Sequence, residues 1–241
     1  MEKKSRKTNF IEGLHDGFPI CLGYFAVSFA IGIQAAGIGM TSFQAAMLSL
    51  LNVTSAGQFA GIEVIAAGGS LLEMAGVQFI INLRYMLMST ALSQKVDPSL
   101  ETRHRLGIAY GVTDEIFGIS ILREGILSPW FSYGAIFIAV AGWVAGTFFG
   151  ALAGSVLPQR LIYALGIALY GMFIAIIVPP AREEKSILIG VLSAMAASTI
   201  LSYAPAVRNL SSGTRVILVT LVISAVCAWI WPVQEEGGTK K

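Results

Sequence analysis

Eight apolar stretches, separated by short polar or proline-containing links, organise the chain. They cover roughly residues 18 to 38, 43 to 67, 71 to 93, 106 to 124, 131 to 156, 161 to 179, 186 to 206 and 214 to 232. About 20 helical residues cross the roughly 30 Å of a bilayer's hydrocarbon, so the pattern predicts an all-α, polytopic membrane bundle. The links DPSLETRHR, LPQR, PPAREEKS and VRNLSSGTR are too short to hold a soluble domain. Residues 1–241 therefore read as a single transmembrane domain, with a cytoplasmic segment at 1–16 and a short tail at 233–241. The first stretch follows a basic start, MEKKSRK, but is longer than the apolar core of a signal peptide and lacks a clear small-x-small cleavage site, so it reads as a retained span.

The second stretch is interrupted. Its centre, LLNVTSAGQFAG at 50 to 61, carries Asn52, Thr54, Ser55 and Gln58 together with Gly57 and Gly61. A backbone broken at membrane depth leaves unpaired amides and carbonyls, which is tolerated only inside protein or beside a watery cavity. The stretch predicts two half-helices around a re-entrant, site-forming loop; the bland alternative is a continuous span whose polar groups bond to neighbouring helices. Charge favours the first. Lys3, Lys4, Arg6 and Lys7, then Lys95, Arg103 and Arg105, then Arg208 and Arg215 should all lie in the cytoplasm. That requires an early segment to return to its own side. About seven spans then remain, with the N-terminus inside and the C-terminus outside.

The candidate chemistry lies in the third and fourth stretches. Arg84 sits 15 residues before Ser99 and Asp114 15 after it, so in an antiparallel helical pair rising 1.5 Å per residue the two share a depth near the midplane. An arginine at a helix centre costs roughly 2.5 to 3.5 kcal/mol on insertion scales and normally pairs. Arg84 is expected to face Asp114 or Glu115, which leaves one carboxylate over. Gln78, Asn82, Tyr85 and Ser89 share one face of the third stretch, while Arg84 falls about 200° from Asn82. On the fourth, Gly107, Gly111 and Gly118 accompany Glu115. On the fifth, Gly142, Gly146, Gly150 and Gly154 recur every four residues and form a groove for close helix contact, either with another span of this chain or with a helix of a partner.

These residues, in order, carry a resemblance: the Pro19 and Gly23 region, SAGQF at 55 to 59, NLR at 82 to 84 and TDE at 113 to 115. The chain resembles the AzlC/YgaZ family of branched-chain amino acid permeases over nearly its whole length. It departs at Tyr85, where a histidine is expected. The resemblance implies a secondary transporter in the bacterial inner membrane that exports valine, leucine and isoleucine with a small AzlD-type membrane subunit. Independently, Arg84 and half-helix N-termini suit a carboxylate, and Asp114 and Glu115 suit an ammonium. The substrate site is therefore expected at Asn52, Thr54, Ser55, Gln58, Asn82, Arg84, Asp114 and Glu115.

Composition adds mainly exclusions. With 55% apolar and 12% charged residues and a net charge of +2, no basic face suits nucleic acid. Cys21 and Cys227 lie in apolar runs and form neither a disulfide framework nor a metal site. No GxxxxGK[ST] motif is present, so ion or substrate gradients must supply the energy. Asp114 stands alone among aspartates in the spans and both histidines lie outside them, which argues against an intramembrane enzyme. A passive channel for small zwitterions is the rival reading, because a polar loop can also line a pore.

Overall fold

The computed structural model describes residues 5–158, 160, 174, 177–203 and 212–231. Most of the expected span at 161 to 179, the link carrying Arg208 and the tail at 233–241 lie outside them. Among the described residues the secondary structure is helical: α1 (Arg6–Gly37), α2 (Ser42–Leu51), α3 (Ser55–Ala66), α4 (Leu71–Ser93), α5 (Thr102–Tyr110), α6 (Asp114–Ile121), α7 (Pro129–Val156), α8 (Lys185–Tyr203) and α9 (Ser212–Ile230). Five of them, α1, α4, α7, α8 and α9, are long and apolar enough to cross a bilayer. The all-α membrane bundle is as expected. The N-terminal segment differs: Ser5 accepts a hydrogen bond from the Thr8 amide, and helix starts at Arg6, well before the apolar stretch.

The chain divides into two compact units, Met1–Ile62 with Ile81–Tyr170, and Glu63–Ile80 with Gly171–Lys241. In the second, α8 packs on α9, and Glu73 Oε1 accepts from the Gly213 amide at 3.0 Å, satisfying one free donor at the start of α9.

The first unit is built on α1 and α7, which run parallel. Gly17 lies on Ala135, Gly142 on Cys21, Gly146 on Phe25, Gly150 on Phe29 and Gly154 on Ile33, both numbers rising together. Small residues let the two backbones approach closely, which lipid rewards because van der Waals packing, not hydrophobic burial, holds helices together there. The four glycines of α7 are therefore occupied by α1, and the groove expected from their spacing serves internal packing.

The fourth apolar stretch needs correction. It was expected to be one crossing helix, yet it breaks at Gly111–Thr113 into α5 and α6, and both halves belong to the same end of the molecule. Gly107 of α5 abuts Tyr133, while Arg123, just past α6, lies over the Phe131 ring at 3.9 Å and pairs with Glu12 at 2.6 Å. Lys95 Nζ donates to the Ile121 carbonyl at 2.6 Å and also to that of Arg123, satisfying the exposed end of α6. Thus α5 and α6 form a re-entrant hairpin that leaves from the end where α1 begins. The periodic glycines gave no sign of this, because a break needs only one residue with a better partner than the helix, here Thr113.

The second stretch does break, at Asn52–Thr54. Gln58 Nε2 donates to Ser49 Oγ at 2.6 Å, so α3 folds back along α2 instead of continuing it. Between the hairpins α4 descends antiparallel to α7: Tyr85 lies near Trp143, whereas Leu92 and Val96 join Leu127 and Phe131. One full crossing between parallel α1 and α7 is what two re-entrant hairpins require. Lys95, Arg123 and the α1 N-terminus share one end, the end that the charge rule expects in the cytoplasm. A reporter inserted at Gly125 should read cytoplasmic, like one near Ser99, and one inserted at Ser155 extracytoplasmic. An extracytoplasmic signal at Gly125 would restore a full crossing by the fourth stretch.

Candidate functional site

The two hairpin tips meet in the middle of the first unit. Each second half-helix starts on a threonine: Thr54 Oγ1 accepts from the Gly57 amide and Thr113 Oγ1 from the Ile116 amide, both at 3.4 Å. Both helices so capped direct amide N–H groups and the positive ends of their dipoles toward one small cavity. It is lined by Tyr24, Val53, Thr54, Ser55, Tyr85, Thr113, Asp114, Glu115 and Trp143. Its free volume is about 20 Å³, room for about one water molecule. An amino acid cannot enter unless the tips separate.

The two carboxylates have different partners. Arg84 Nη1 lies 3.0 Å from Asp114 Oδ2, and both side chains are a little under half exposed in the chain alone. The Tyr24 hydroxyl lies 2.6 Å from both Glu115 Oε2 and Thr113 Oγ1. Having one proton, it donates to the carboxylate and takes its second bond from the threonine hydroxyl. Both acids occupy the first turn of α6, where the helix dipole favours negative charge.

Asn82 and Tyr85 hold the other tip. Thr54 Oγ1 lies 3.0 Å from Asn82 Oδ1 and 3.3 Å from the Tyr85 hydroxyl. The helix does not unwind to bring Arg84 to the same place, for α4 is continuous. Instead the long side chain wraps over the Tyr85 ring, its guanidinium 5.1 Å from the ring centroid.

Of the residues expected at the site, Thr54, Ser55, Asp114 and Glu115 line the cavity, Arg84 joins it through Asp114, and Asn82 through Thr54. Gln58 stands behind it. Fully buried, it accepts from Trp143 Nε1 at 3.0 Å and donates to Ser49, whose hydroxyl reaches Thr147 at 2.6 Å. That chain fixes the Trp143 ring in contact with Tyr24, centroids 5.4 Å apart. Asn52 closes α2 at the break and is not among the lining residues. Tyr24, Thr113 and Trp143 were missed, although Thr113 repeats the Val-Thr pair at 53 and 54 and so left a signal in the sequence.

Residues 19–157 match the AzlC protein family, a region that contains both hairpins and the cavity between them. The chain belongs to the AzlC family. It is 32% identical over 181 residues to an uncharacterised membrane protein of Archaeoglobus fulgidus, covering 74% of this chain and 79% of that one. It is 28% identical over 202 residues to the inner membrane protein YgaZ of Escherichia coli, covering 80% and 82%. A membrane protein of Helicobacter pylori is 27% identical over 154 residues, covering 61% and 66%. No solved structure matches. Membership of the AzlC family and the apolar helices make this a multi-pass membrane protein whose architecture is consistent with transport.

Proposed function

We propose that this AzlC-family chain is the large subunit of a secondary exporter of branched-chain amino acids in the bacterial inner membrane, driven by proton entry and working with a small AzlD-type membrane subunit. The observation that carries the reading is the division of labour between adjacent acids. Asp114 is neutralised by Arg84, whereas the partner that Glu115 shows among the described residues is the neutral Tyr24 hydroxyl at 2.6 Å. A zwitterion entering between the tips would exchange with the first pair, its carboxylate on Arg84 and its ammonium on Asp114. Glu115 would then take or release the proton. Tyr24 of α1, Tyr85 and Arg84 of α4, and Asp114 beside it are the titratable and charged groups that face it, so its charge is felt directly by the substrate-binding pair. Val53 and Trp143 offer apolar contact to an aliphatic side chain, which discriminates weakly among valine, leucine and isoleucine because one methylene is worth only about 1 to 3 kcal/mol.

Transport of labelled valine in proteoliposomes, with the small subunit present, tests the reading. An imposed pH gradient should drive valine against its own gradient. Glu115→Gln, which cannot change its charge, should retain valine exchange at equal concentrations while losing the response to the pH gradient. A wild-type response in that variant would move the coupling elsewhere, and gradient-independent, non-saturable flux in the parent protein would favour a channel.

A further inference from the structure

The two broken segments share one helix-break-helix plan, the plan of an internal repeat. Val53-Thr54-Ser55 and Val112-Thr113-Asp114 occupy the same place at each break, and α6 begins 59 residues after α3. The same shift carries α2, ending at Leu51, onto α5, ending at Tyr110, and sets α1 against α4. Because α4 runs antiparallel to α1, and each long helix leads into a hairpin at the end where it finishes, the copies have opposite orientation. Such inverted repeats place a substrate site at their interface in many transporters.

The hydrogen bonds cross between the two halves in the same sense, although Tyr85 stands 61 residues after Tyr24, two beyond the shift. Tyr24, from the long helix of the first copy, bonds Thr113 at the tip of the second; Tyr85, from the long helix of the second, bonds Thr54 at the tip of the first. Tyr110 of the second copy also donates to the Leu50 carbonyl of the first at 2.6 Å. Perfect symmetry would make the two tyrosine contacts equal. They are not: Tyr24 sits 2.6 Å from two partners, whereas Tyr85 lies 3.3 Å from Thr54. In a pair of inverted copies such inequality distinguishes one access state from the other, since exchanging the conformations of the copies exchanges the tight contact for the loose one.

We propose that Tyr24 and Tyr85 are the matched gate residues of an internal inverted repeat, each holding shut the hairpin of the other copy. The hairpin held by Tyr24 enters from the cytoplasmic end and the one held by Tyr85 from the opposite end. Alternate release of the two hydroxyls opens the cavity to one side at a time. This rests on the carrier reading, but its test does not require the substrate to be known.

The test places Val53→Cys in the cavity of a full-length protein carrying Cys21→Ser and Cys227→Ser, and measures labelling by a membrane-impermeant methanethiosulfonate from each face, in spheroplasts and in inverted vesicles. Tyr24→Phe should raise cytoplasmic over external labelling about five- to tenfold, the worth of one hydrogen bond, and Tyr85→Phe should shift the ratio the other way. Thr54→Val removes the partner of Tyr85 and should reproduce its shift, while Thr113→Val removes one of the two partners of Tyr24, Glu115 being the other, and should reproduce the opposite shift in part, so each serves if a tyrosine variant fails to insert. Shifts toward the same face, or none in the variants that insert, would overturn the gate. Opposite shifts without any valine transport would keep the gate and sink the assigned substrate.

Discussion

Arg84→Ala should reduce transport at least about 100-fold while leaving the protein in the membrane. The guanidinium stands 3.0 Å from Asp114 at the meeting point of two broken helices, so its loss leaves a carboxylate without its cation beside the cavity. Removing one partner leaves the other charge uncompensated at the cavity, an effect only partly screened because both side chains are a little under half exposed. Asp114→Asn should be milder in folding, since it leaves Arg84 with a polar partner and the Tyr85 ring, yet similarly severe in transport if the ammonium binds there. Arg84→Lys tests geometry separately from charge. A lysine restores a positive charge but not the fork that bridges Asp114 and Tyr85, so recovery of expression with only partial recovery of flux is expected. Normal valine flux in Arg84→Ala, in protein shown to be inserted, would make the pair structural at most.

The second large effect concerns folding. Gly146→Leu or Gly150→Leu should abolish monodisperse recovery of the protein even when it is expressed without a partner subunit. A Cβ on Gly146 would stand 2.9 Å from the Phe25 Cα, and one on Gly150 2.7 Å from the Phe29 carbonyl carbon, in both cases backbone that cannot swing aside. Overpacking a side chain alone costs about 1 to 3 kcal/mol; here the parallel helices themselves must separate, dislodging the frame on which both hairpins hang. Gly23→Leu is the control, because a Cβ there meets nothing within 4 Å. Size-exclusion profiles in mild detergent provide the readout. Monodisperse Gly146→Leu protein that has merely lost its small subunit would transfer the groove to the partner.

What the amino-acid order determined by itself was local or one-dimensional. Apolar lengths of about 20 residues specify helices in lipid, because an unpaired peptide group is too costly there. The polar interruption at Asn52–Ser55 specified a broken helix for the same reason, and the cost of a lone Arg84 specified a nearby carboxylate. Residue counting from Ser99 even placed Asp114 at the right depth, although the chain reaches it by α5 and a turn instead of a continuous crossing.

Tertiary structure decided the rest. Two paths with the same hydropathy, a crossing and a hairpin, differ only in where their ends are held; Lys95 on the end of α6, Arg123 on Glu12 and Gln58 on Ser49 hold them, pairings that helical spacing along one element does not supply. The glycines every fourth residue on α7 announced close contact but not its recipient, since any small-residue face in lipid would serve, and α1 supplies it. Tyr24 looked like one aromatic among apolar neighbours, and only the folding of α6 against α1 brings its hydroxyl to Glu115. The roles of Asp114 and Glu115 were likewise undetermined by order. Adjacent residues on a helix point about 100° apart, so one meets α4 and the other α1, and that angle separates an ion pair with Arg84 from a carboxylate bonded to the Tyr24 hydroxyl.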